Sequence, residues 1–228
     1  MIKGVIFDVG GVLAYDVWEH LLCDPPGQPA SIATTFNVQA GQLEKIGEDL
    51  WREFDKVKGD PDRLELQYWQ RFIERTSTLP QLHAVEPADL IALTDTFIRA
   101  VSYDETSSLL GWLSEERVRL GICSNNNEFW FRRQRQKLGL DRFFEASAIV
   151  LSCHHGITKS DPRLFEISAN ALSLDPTECV FVDDRMGNVS RAVECGMVGI
   201  LFPTEQFPAK PQRGTNYLER ALRAMIQR

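Results

Sequence analysis

The segment Lys3–Leu13, KGVIFDVGGVL, is the part of the sequence that decides the fold. Its short, β-branched apolar run stops at Asp8 and a glycine pair, which indicates a buried strand with a polar residue at its carboxyl end. Three more apolar runs stop in the same way, and a weaker fifth run follows them. They are Arg117–Cys123 before Ser124, Ala148–Leu151 before a loop to Lys159, Cys179–Val182 before Asp183 and Asp184, and finally Val198–Phe202.

The segments between these runs have the apolar spacing of amphipathic helices. Three such helices are predicted, each with a proline or glycine boundary signal at one end: Asn127–Leu138, Pro162–Leu172 and Asn188–Cys195. Short strands that alternate with helices form parallel sheets through right-handed crossovers. The sequence therefore predicts an α/β fold with a Rossmann-like, open parallel sheet.

Residues 15–105 differ from the rest of the chain because they contain no run with strand character. The helical patterns in this segment are Gly41–Lys58, Arg63–Thr76 and Pro87–Val101. We therefore expect a small all-helical module, 15–105, inserted after the first strand. The α/β core then comprises 1–14 and 106–228.

Composition and charge narrow the class of protein. The 228 residues carry a net charge of −7, with a pI near 5.2, so affinity for nucleic acid or anionic membranes is not expected. No signal-peptide pattern and no apolar run of membrane-spanning length is present. The five cysteines form no CxxC pair, which is typical of reduced thiols. We expect a cytoplasmic protein that concentrates positive charge locally if it binds phosphate.

The polar residues that follow the strands form one chemically consistent set. Carboxyl ends of parallel strands meet at one edge of a sheet, where such folds bind ligands. There the Asp8 carboxylate can attack phosphorus and form an aspartyl-phosphate. Mg²⁺ prefers oxygen ligands, which Asp8, Asp184 and the backbone carbonyl of Gly10 can supply. Lys159 and the Ser124 hydroxyl can stabilise the transferring phosphoryl group.

Four segments resemble, in this order, the successive motifs of the haloacid dehalogenase-like hydrolases: FDVGGVL, CSNN, KSDPRLFE and FVDDRMGNV. The resemblance covers nearly the whole chain, and the helical insert lies where that family has a helical cap. It implies a magnesium-dependent hydrolase that acts on a small phosphorylated metabolite. The site residues that it implies are Asp8 as nucleophile, Ser124, Asn125 and Lys159 around the phosphate, Asp184 and the Gly10 carbonyl on the metal, Asp183 as a further ligand or nearby acid, and Asn188 as their support.

Two positions depart from the pattern of that family. Most of its phosphatases have a second Asp at the place of Gly10, which protonates the leaving oxygen and later activates water. Similar members, including bacterial α-glucose 1-phosphate phosphatases, also lack it, which favours sugar or acyl phosphates because their leaving groups need less protonation. Asp16 and His20 are candidate replacements or, alternatively, ordinary surface residues. Ser160 replaces a proline, which changes loop stiffness rather than charge.

Three functions agree with these observations. A phosphatase for small phosphomonoesters accounts for the whole motif set. A 2-haloacid dehalogenase would also use Asp8 and lack the second Asp, but it would not need Asp183 and Asp184 to hold a metal. A catalytically weak regulatory protein that binds phosphate and Mg²⁺ would account for Gly10. Oligomeric state stays open, because the cap surface or the terminal helix Asn216–Arg228 could form a dimer.

Other features lie outside the motifs. Cys153-His154-His155 resembles part of a zinc site, but no second Cys/His pair completes it. At least one ring of Phe129–Phe131 is expected to face the active-site entrance. The aromatic residues of the insert recur at helical spacing and are predicted to pack inside the cap: Trp51, Phe54, Tyr68, Trp69 and Phe72.

Overall fold

The fold is built on five parallel strands. The computed structural model describes residues 1–17, 30–100, 106–202 and 211–226. The strands are β1 (Gly4–Phe7), β2 (Arg119–Ser124), β3 (Ile149–Leu151), β4 (Cys179–Asp183) and β5 (Val198–Leu201). They form one sheet in the order β3-β2-β1-β4-β5, with β1 at the centre. The prediction of an α/β fold with an open parallel sheet is confirmed.

Helices cover both faces of this sheet. In chain order they are α1 (Ile32–Thr35), α2 (Ala40–Phe54), α3 (Pro61–Arg75), α4 (Pro87–Ala100), α5 (Thr106–Glu115), α6 (Glu128–Leu138), α7 (Ser152–His155), α8 (Arg163–Ala171), α9 (Met186–Glu194) and α10 (Pro211–Ile226). Successive side chains of a strand point to opposite faces. Val5 and Phe7 accordingly pack with leucines of α5 and α10, whereas Ile6 packs with α8 and α9. The side chains of the central strand are therefore buried on both faces of the sheet.

Helices α2–α4 enclose an apolar cluster of their own. As predicted, it contains the aromatic residues Phe54, Tyr68, Trp69 and Phe72, with Trp51 partly buried against it. Phe129 and Trp130 of the core helix α6 belong to the same cluster. The insert therefore packs directly on α6 and forms a second apolar core next to the sheet.

A buried ion pair also joins the insert to α6. Glu65 of α3 is buried, and its two carboxylate oxygens accept hydrogen bonds from the two terminal nitrogens of Arg133. Arg132, which is more exposed, lies 2.5 Å from Asp62. These contacts orient α3 on α6. The division of the chain into a cap at 15–105 and a surrounding core stays a prediction.

Most predicted elements are present, although their ends differ. Helix α2 ends at Phe54 rather than Lys58, and α9 begins at Met186 rather than Asn188. Helices α1, α5 and α7 were not predicted; α1 and α7 have four residues each, too few for a periodic pattern. His20 lies outside the described residues. Within the described ranges, no helix combines the length and apolar character that crossing a bilayer requires.

Candidate active site

The carboxyl ends of the three central strands bring predicted site residues together. Asp8 directly follows β1, and Ser124 and Asp183 are the last residues of the flanking strands β2 and β4. Lys159 reaches them from the loop before α8. Its Nζ lies 2.6 Å from Asp8 Oδ2 and 2.6 Å from Asp183 Oδ2. The sheet thus assembles four residues that are far apart in the sequence.

Lys159 is the buried cation of this group. Burial disfavours its charge, but the Asp8 and Asp183 carboxylates outweigh burial and raise the pKa of Lys159 above its ordinary value. Burial raises the pKa of Asp8 to about 6, although Lys159 opposes that rise. Asp8 Oδ1 also accepts a 2.7 Å hydrogen bond from the Val9 N–H, and Ser124 forms a hydrogen bond with the Asp8 side chain. Asp8 is thereby held in one orientation beside a positive charge.

Asp184 completes a group of three carboxylates. One oxygen each of Asp8, Asp183 and Asp184 lies within 4.8 Å of the others. Asp184 Oδ1 is buried without a hydrogen-bond partner among the described residues, and burial raises the pKa of Asp184 to about 7. A Cβ on Gly11, whose φ is +76°, would lie 2.1 Å from Asp184 Oδ2, so this position has room only for glycine. Hard oxygen donors, one of them unsatisfied, fit Mg²⁺.

Two amide side chains hold parts of this site. Asn125 Oδ1 accepts a 2.8 Å hydrogen bond from the Lys159 N–H, which fixes the backbone of the lysine. Asn188 Nδ2 lies 3.1 Å from both carboxylate oxygens of Asp183 and donates to them. The loop that carries Lys159 is also braced at Ser160, whose Oγ lies 2.7 Å from the hydroxyl of the nearby Thr158.

Asp16 lies beside Gly10, the position at which this chain has no acidic side chain. A Cβ on Gly10 would lie 3.3 Å from Asp16 Oδ2, and Asp16 lines the same cavity as Asp8. Asp16 Oδ2 is also 3.7 Å from Nη2 of Arg185. Of the two candidates for the missing acid, Asp16 is therefore placed at the site. Arg185 was missed, although it directly follows the acid pair in the sequence.

A cavity of about 280 Å³ opens over Asp8. The end of α2 contributes Trp51, Asp55 and the basic residues Arg52 and Lys56 to its wall. Trp130 of α6 lines it as well and stacks on Trp51 with ring centroids 5.3 Å apart, in agreement with the expectation that one ring of Phe129–Phe131 faces the entrance.

Sequence reasoning did not identify Arg52, Asp55 and Lys56 as wall residues, because packing between distant helices brings them to the site. The one local signal is the position of Asp55. It is an acid at the carboxyl end of a helix, where the helix dipole disfavours negative charge. Asp55 can be recognised in this way only when the helix is known to end at Phe54, and the sequence prediction extended the helix to Lys58.

A second group of potential metal ligands lies at Glu128, Cys153 and His154, whose ligand atoms are within 4.8 Å of one another. His154 Nε2 and Glu128 Oε2 are 2.5 Å apart. Hydrogen bonds with Cys153 and Glu128 raise the pKa of His154 to about 10. His154 and Glu128 therefore satisfy each other as an ion pair.

Comparison with known proteins identifies a matching family profile and individual relatives that are hydrolases. The profile of the haloacid dehalogenase-like hydrolases matches residues 2–196. Flavin mononucleotide hydrolase 1 of Arabidopsis thaliana is 27% identical over 201 residues, which cover 87% of this chain and 75% of that protein. Glyceraldehyde 3-phosphate phosphatase of Methanopyrus kandleri is 27% identical over 203 residues, which cover 88% of this chain and 83% of that protein.

Solved structures share the fold. A haloacid dehalogenase-family enzyme of Bacteroides thetaiotaomicron, in complex with magnesium and inorganic phosphate, has a TM-score of 0.64 and 19% identity, covering 88% of this chain and 94% of its own. L-2-haloacid dehalogenase of Xanthobacter autotrophicus has a TM-score of 0.56 and 20% identity, covering 97% and 88%. Because the family profile spans most of the sequence, this chain belongs to the haloacid dehalogenase-like hydrolases.

Proposed function

We propose that this hydrolase is a magnesium-dependent phosphatase that cleaves small phosphomonoesters through an aspartyl-phosphate on Asp8. The observation that carries the proposal is the position of Lys159 Nζ, 2.6 Å from both Asp8 and Asp183, beside an unsatisfied oxygen of Asp184. A nucleophile and a cation thus meet in one cavity, next to a carboxylate oxygen that has no partner among the described residues. The phosphatase among the relatives supports the same reaction class.

The reaction has two displacements at phosphorus. In the first, an oxygen of Asp8 attacks, the bond from phosphorus to the leaving alcohol breaks, and the phosphoryl group stays on Asp8. Lys159 and Ser124 face this group with an ammonium and a hydroxyl, which stabilise its developing charge. In the second, water displaces Asp8 and inorganic phosphate is released. Asn125, which fixes the Lys159 backbone, contributes to the same phosphate site.

Asp8, Asp184 and the Gly10 carbonyl are the oxygens that would hold Mg²⁺, with Asp183 adjacent. The bound ion would supply the positive charge that lets a phosphate dianion approach the Asp8 carboxylate. Asp183 already accepts a hydrogen bond from Lys159. We therefore assign to Asp183 mainly the task of positioning that lysine.

Asp16 is the residue to which we assign proton transfer in place of a side chain at Gly10. Its carboxylate lies 3.3 Å from the position of the absent Cβ and lines the cavity. Asp16→Asn is expected to slow cleavage of alkyl phosphates by roughly 10²–10⁴-fold, the usual contribution of general acid–base catalysis. It should lower kcat/KM for p-nitrophenyl phosphate much less, because kcat/KM reports the first displacement and that leaving group needs little protonation. Equal losses on both substrates would contradict the assignment.

The nucleophile is tested by Asp8→Asn, which keeps the shape of the side chain. We expect this variant to release no phosphate from p-nitrophenyl phosphate or from sugar and acyl phosphates in the presence of Mg²⁺. Its circular dichroism spectrum should match that of the wild type. A folded variant with undiminished hydrolysis would refute the role of Asp8.

A 2-haloacid dehalogenase is the alternative function, because Gly10 provides no acidic side chain and the Xanthobacter enzyme shares the fold. In that reaction Asp8 would displace halide from carbon without a metal. Halide release from 2-chloropropionate in EDTA, with no phosphate release from any phosphomonoester, would favour it. Binding of phosphate and Mg²⁺ without turnover in either assay would favour a regulatory protein.

A small phosphorylated metabolite as partner and a cytoplasmic location complete the proposal. The described cysteines, Cys123, Cys153, Cys179 and Cys195, are all free. Free thiols are typical of proteins in reducing compartments, which supports this location.

A further inference from the structure

Asp55 is a carboxylate in a position that costs stability. Only 5% of the residue is exposed, and its Oδ1 is buried without a hydrogen-bond partner among the described residues. Burial raises the pKa of Asp55 to about 6, and the charge of neighbouring Lys56 does not offset that rise. Asp55 also lies at the carboxyl end of α2, where the helix dipole is negative. Each of these features is unfavourable for an anion.

The same residue is tied to the loop that carries the phosphate-binding asparagine. The Ser152 hydroxyl donates to the backbone carbonyl of Asp55 and accepts a 3.0 Å hydrogen bond from the Asn126 N–H. Asn126 directly follows Asn125. The hydrogen bonds to the Asp55 backbone therefore hold this residue in the wall of the cavity, and its side chain takes no part in them. Replacing the side chain leaves these contacts in place.

The cavity wall next to Asp55 also contains an unsatisfied donor. Trp130 lines the same cavity, and its buried indole N–H has no partner among the described residues. The wall thus carries an acceptor without a donor and a donor without an acceptor. A ligand that carries hydroxyl groups can satisfy both, since a hydroxyl donates one hydrogen bond and accepts others. Unsatisfied buried polar groups of this kind are typical of ligand sites.

We infer that Asp55 selects the alcohol portion of the substrate by accepting a hydrogen bond from one of its hydroxyl groups. The substrate class is then a phosphate monoester of a sugar or another polyol, rather than an acyl or simple alkyl phosphate. This inference rests on the proposed phosphatase function. Trp130 faces the same portion of the substrate as donor, and Lys159, which lines the same cavity, holds the phosphate.

A pair of matched substrates tests the inference. Glycerol 3-phosphate and n-propyl phosphate have the same carbon chain, but only the first carries hydroxyl groups. The wild type is expected to prefer glycerol 3-phosphate in kcat/KM by ~10–100-fold, the effect of a hydrogen bond to a charged group. In Asp55→Ala this preference should fall to near unity, and in Asp55→Asn, which keeps an acceptor oxygen, it should be intermediate.

A control variant and a stability measurement separate recognition from structure. Ser152→Ala removes the contact with the Asp55 backbone but keeps the carboxylate, so it should lower kcat/KM for both substrates and retain the preference. Asp55→Ala should melt at the wild-type temperature or above, because it removes an unpartnered buried charge. A carboxylate needed for folding would instead lower the melting temperature.

Three results would overturn the inference. The wild type could cleave both substrates equally well, or Asp55→Ala could lose activity on both to the same extent. In either case, turnover of p-nitrophenyl phosphate by the wild type would leave the proposed phosphatase function standing. If the wild type released no phosphate from any of the three compounds in the presence of Mg²⁺, that function would be refuted, and the role of Asp55 with it.

Discussion

Lys159→Met is expected to destabilise the protein strongly, because it leaves a group of carboxylates without its buried cation. Methionine fills a similar volume but carries no charge. With Nζ 2.6 Å from each of two carboxylates, Coulomb's law at an effective dielectric constant of about 20 gives about 6 kcal/mol per contact before desolvation. Desolvation offsets much of that, and removing one member of a buried ion pair typically costs about 3–5 kcal/mol. We expect a loss in this range at about pH 8 in EDTA.

The loss of unfolding free energy should grow with pH, and the direction of this change follows from the pKa of Asp8. Its pKa in the folded protein is already raised to about 6, above the value of about 3.9 for an unfolded chain. The folded state therefore binds this proton more tightly, and that contribution to stability is full below about pH 4 and lost as pH rises through about 6. Without Lys159 the pKa of Asp8 rises further. The penalty relative to wild type is then smallest near pH 5 and largest above pH 7.

Guanidinium unfolding followed by circular dichroism at about pH 5 and about pH 8, in EDTA, measures this loss. Lys3→Met is the matched control, because Lys3 is a half-exposed lysine 2.5 Å from Glu178, and exposed pairs contribute little. We expect no measurable loss for that variant. The reasoning is wrong if Lys159→Met unfolds at the wild-type denaturant concentration at pH 8, or if its loss is larger at pH 5.

Three further substitutions test single contacts. Gly11→Ala places a Cβ 2.1 Å from Asp184 Oδ2 at a positive φ; it should cost about 1–3 kcal/mol and reduce phosphate release, and a wild-type melting temperature would contradict this. Glu65→Gln leaves the largely buried Arg133 without its counter-charge and should lower the urea-unfolding free energy by about 2–3 kcal/mol; no change would show that the pair does not hold the insert on α6. Asn127→Ala removes the side-chain cap of α6 and should cost about 1 kcal/mol in the same assay, with a loss below a few tenths ruling out the cap as a stabilising contact.

The sheet could be predicted from the sequence because its signals are local. Each strand is a short apolar run, and parallel strands place their carboxyl ends at one edge, so Asp8, Ser124 and Asp183 could be grouped without coordinates. The same logic placed Lys159 near them. Helix α5 was missed because its apolar residues lie in a stretch that was interpreted only as the boundary of the core. Helices of four residues give no period to detect.

The insert-derived wall of the cavity could not be predicted, because tertiary packing creates it. Nothing near Asp55 in the sequence indicates that its carbonyl meets Ser152, nearly a hundred residues away. The closeness of Asp16 to Gly10 is a similar case. The five residues between them form a turn that folds back, with a bridge between Gly10 and Ala14. Proximity in sequence alone did not choose between Asp16 and His20.

The charge balance of the site favours a divalent cation and a phosphate over a haloacid. Asp8, Asp183 and Asp184 bring three negative charges and Lys159 brings one positive charge, so these four ionised residues have two negative charges in excess. The raised pKa values of Asp8 and Asp184 reflect this crowding together with burial. A dehalogenase that uses no metal would have to keep Asp8 ionised beside two further acids, of which Asp183 shares Lys159 with it. One Mg²⁺ ion would remove the excess and would give the unsatisfied Asp184 oxygen a partner, which supports the proposed metal-dependent phosphatase.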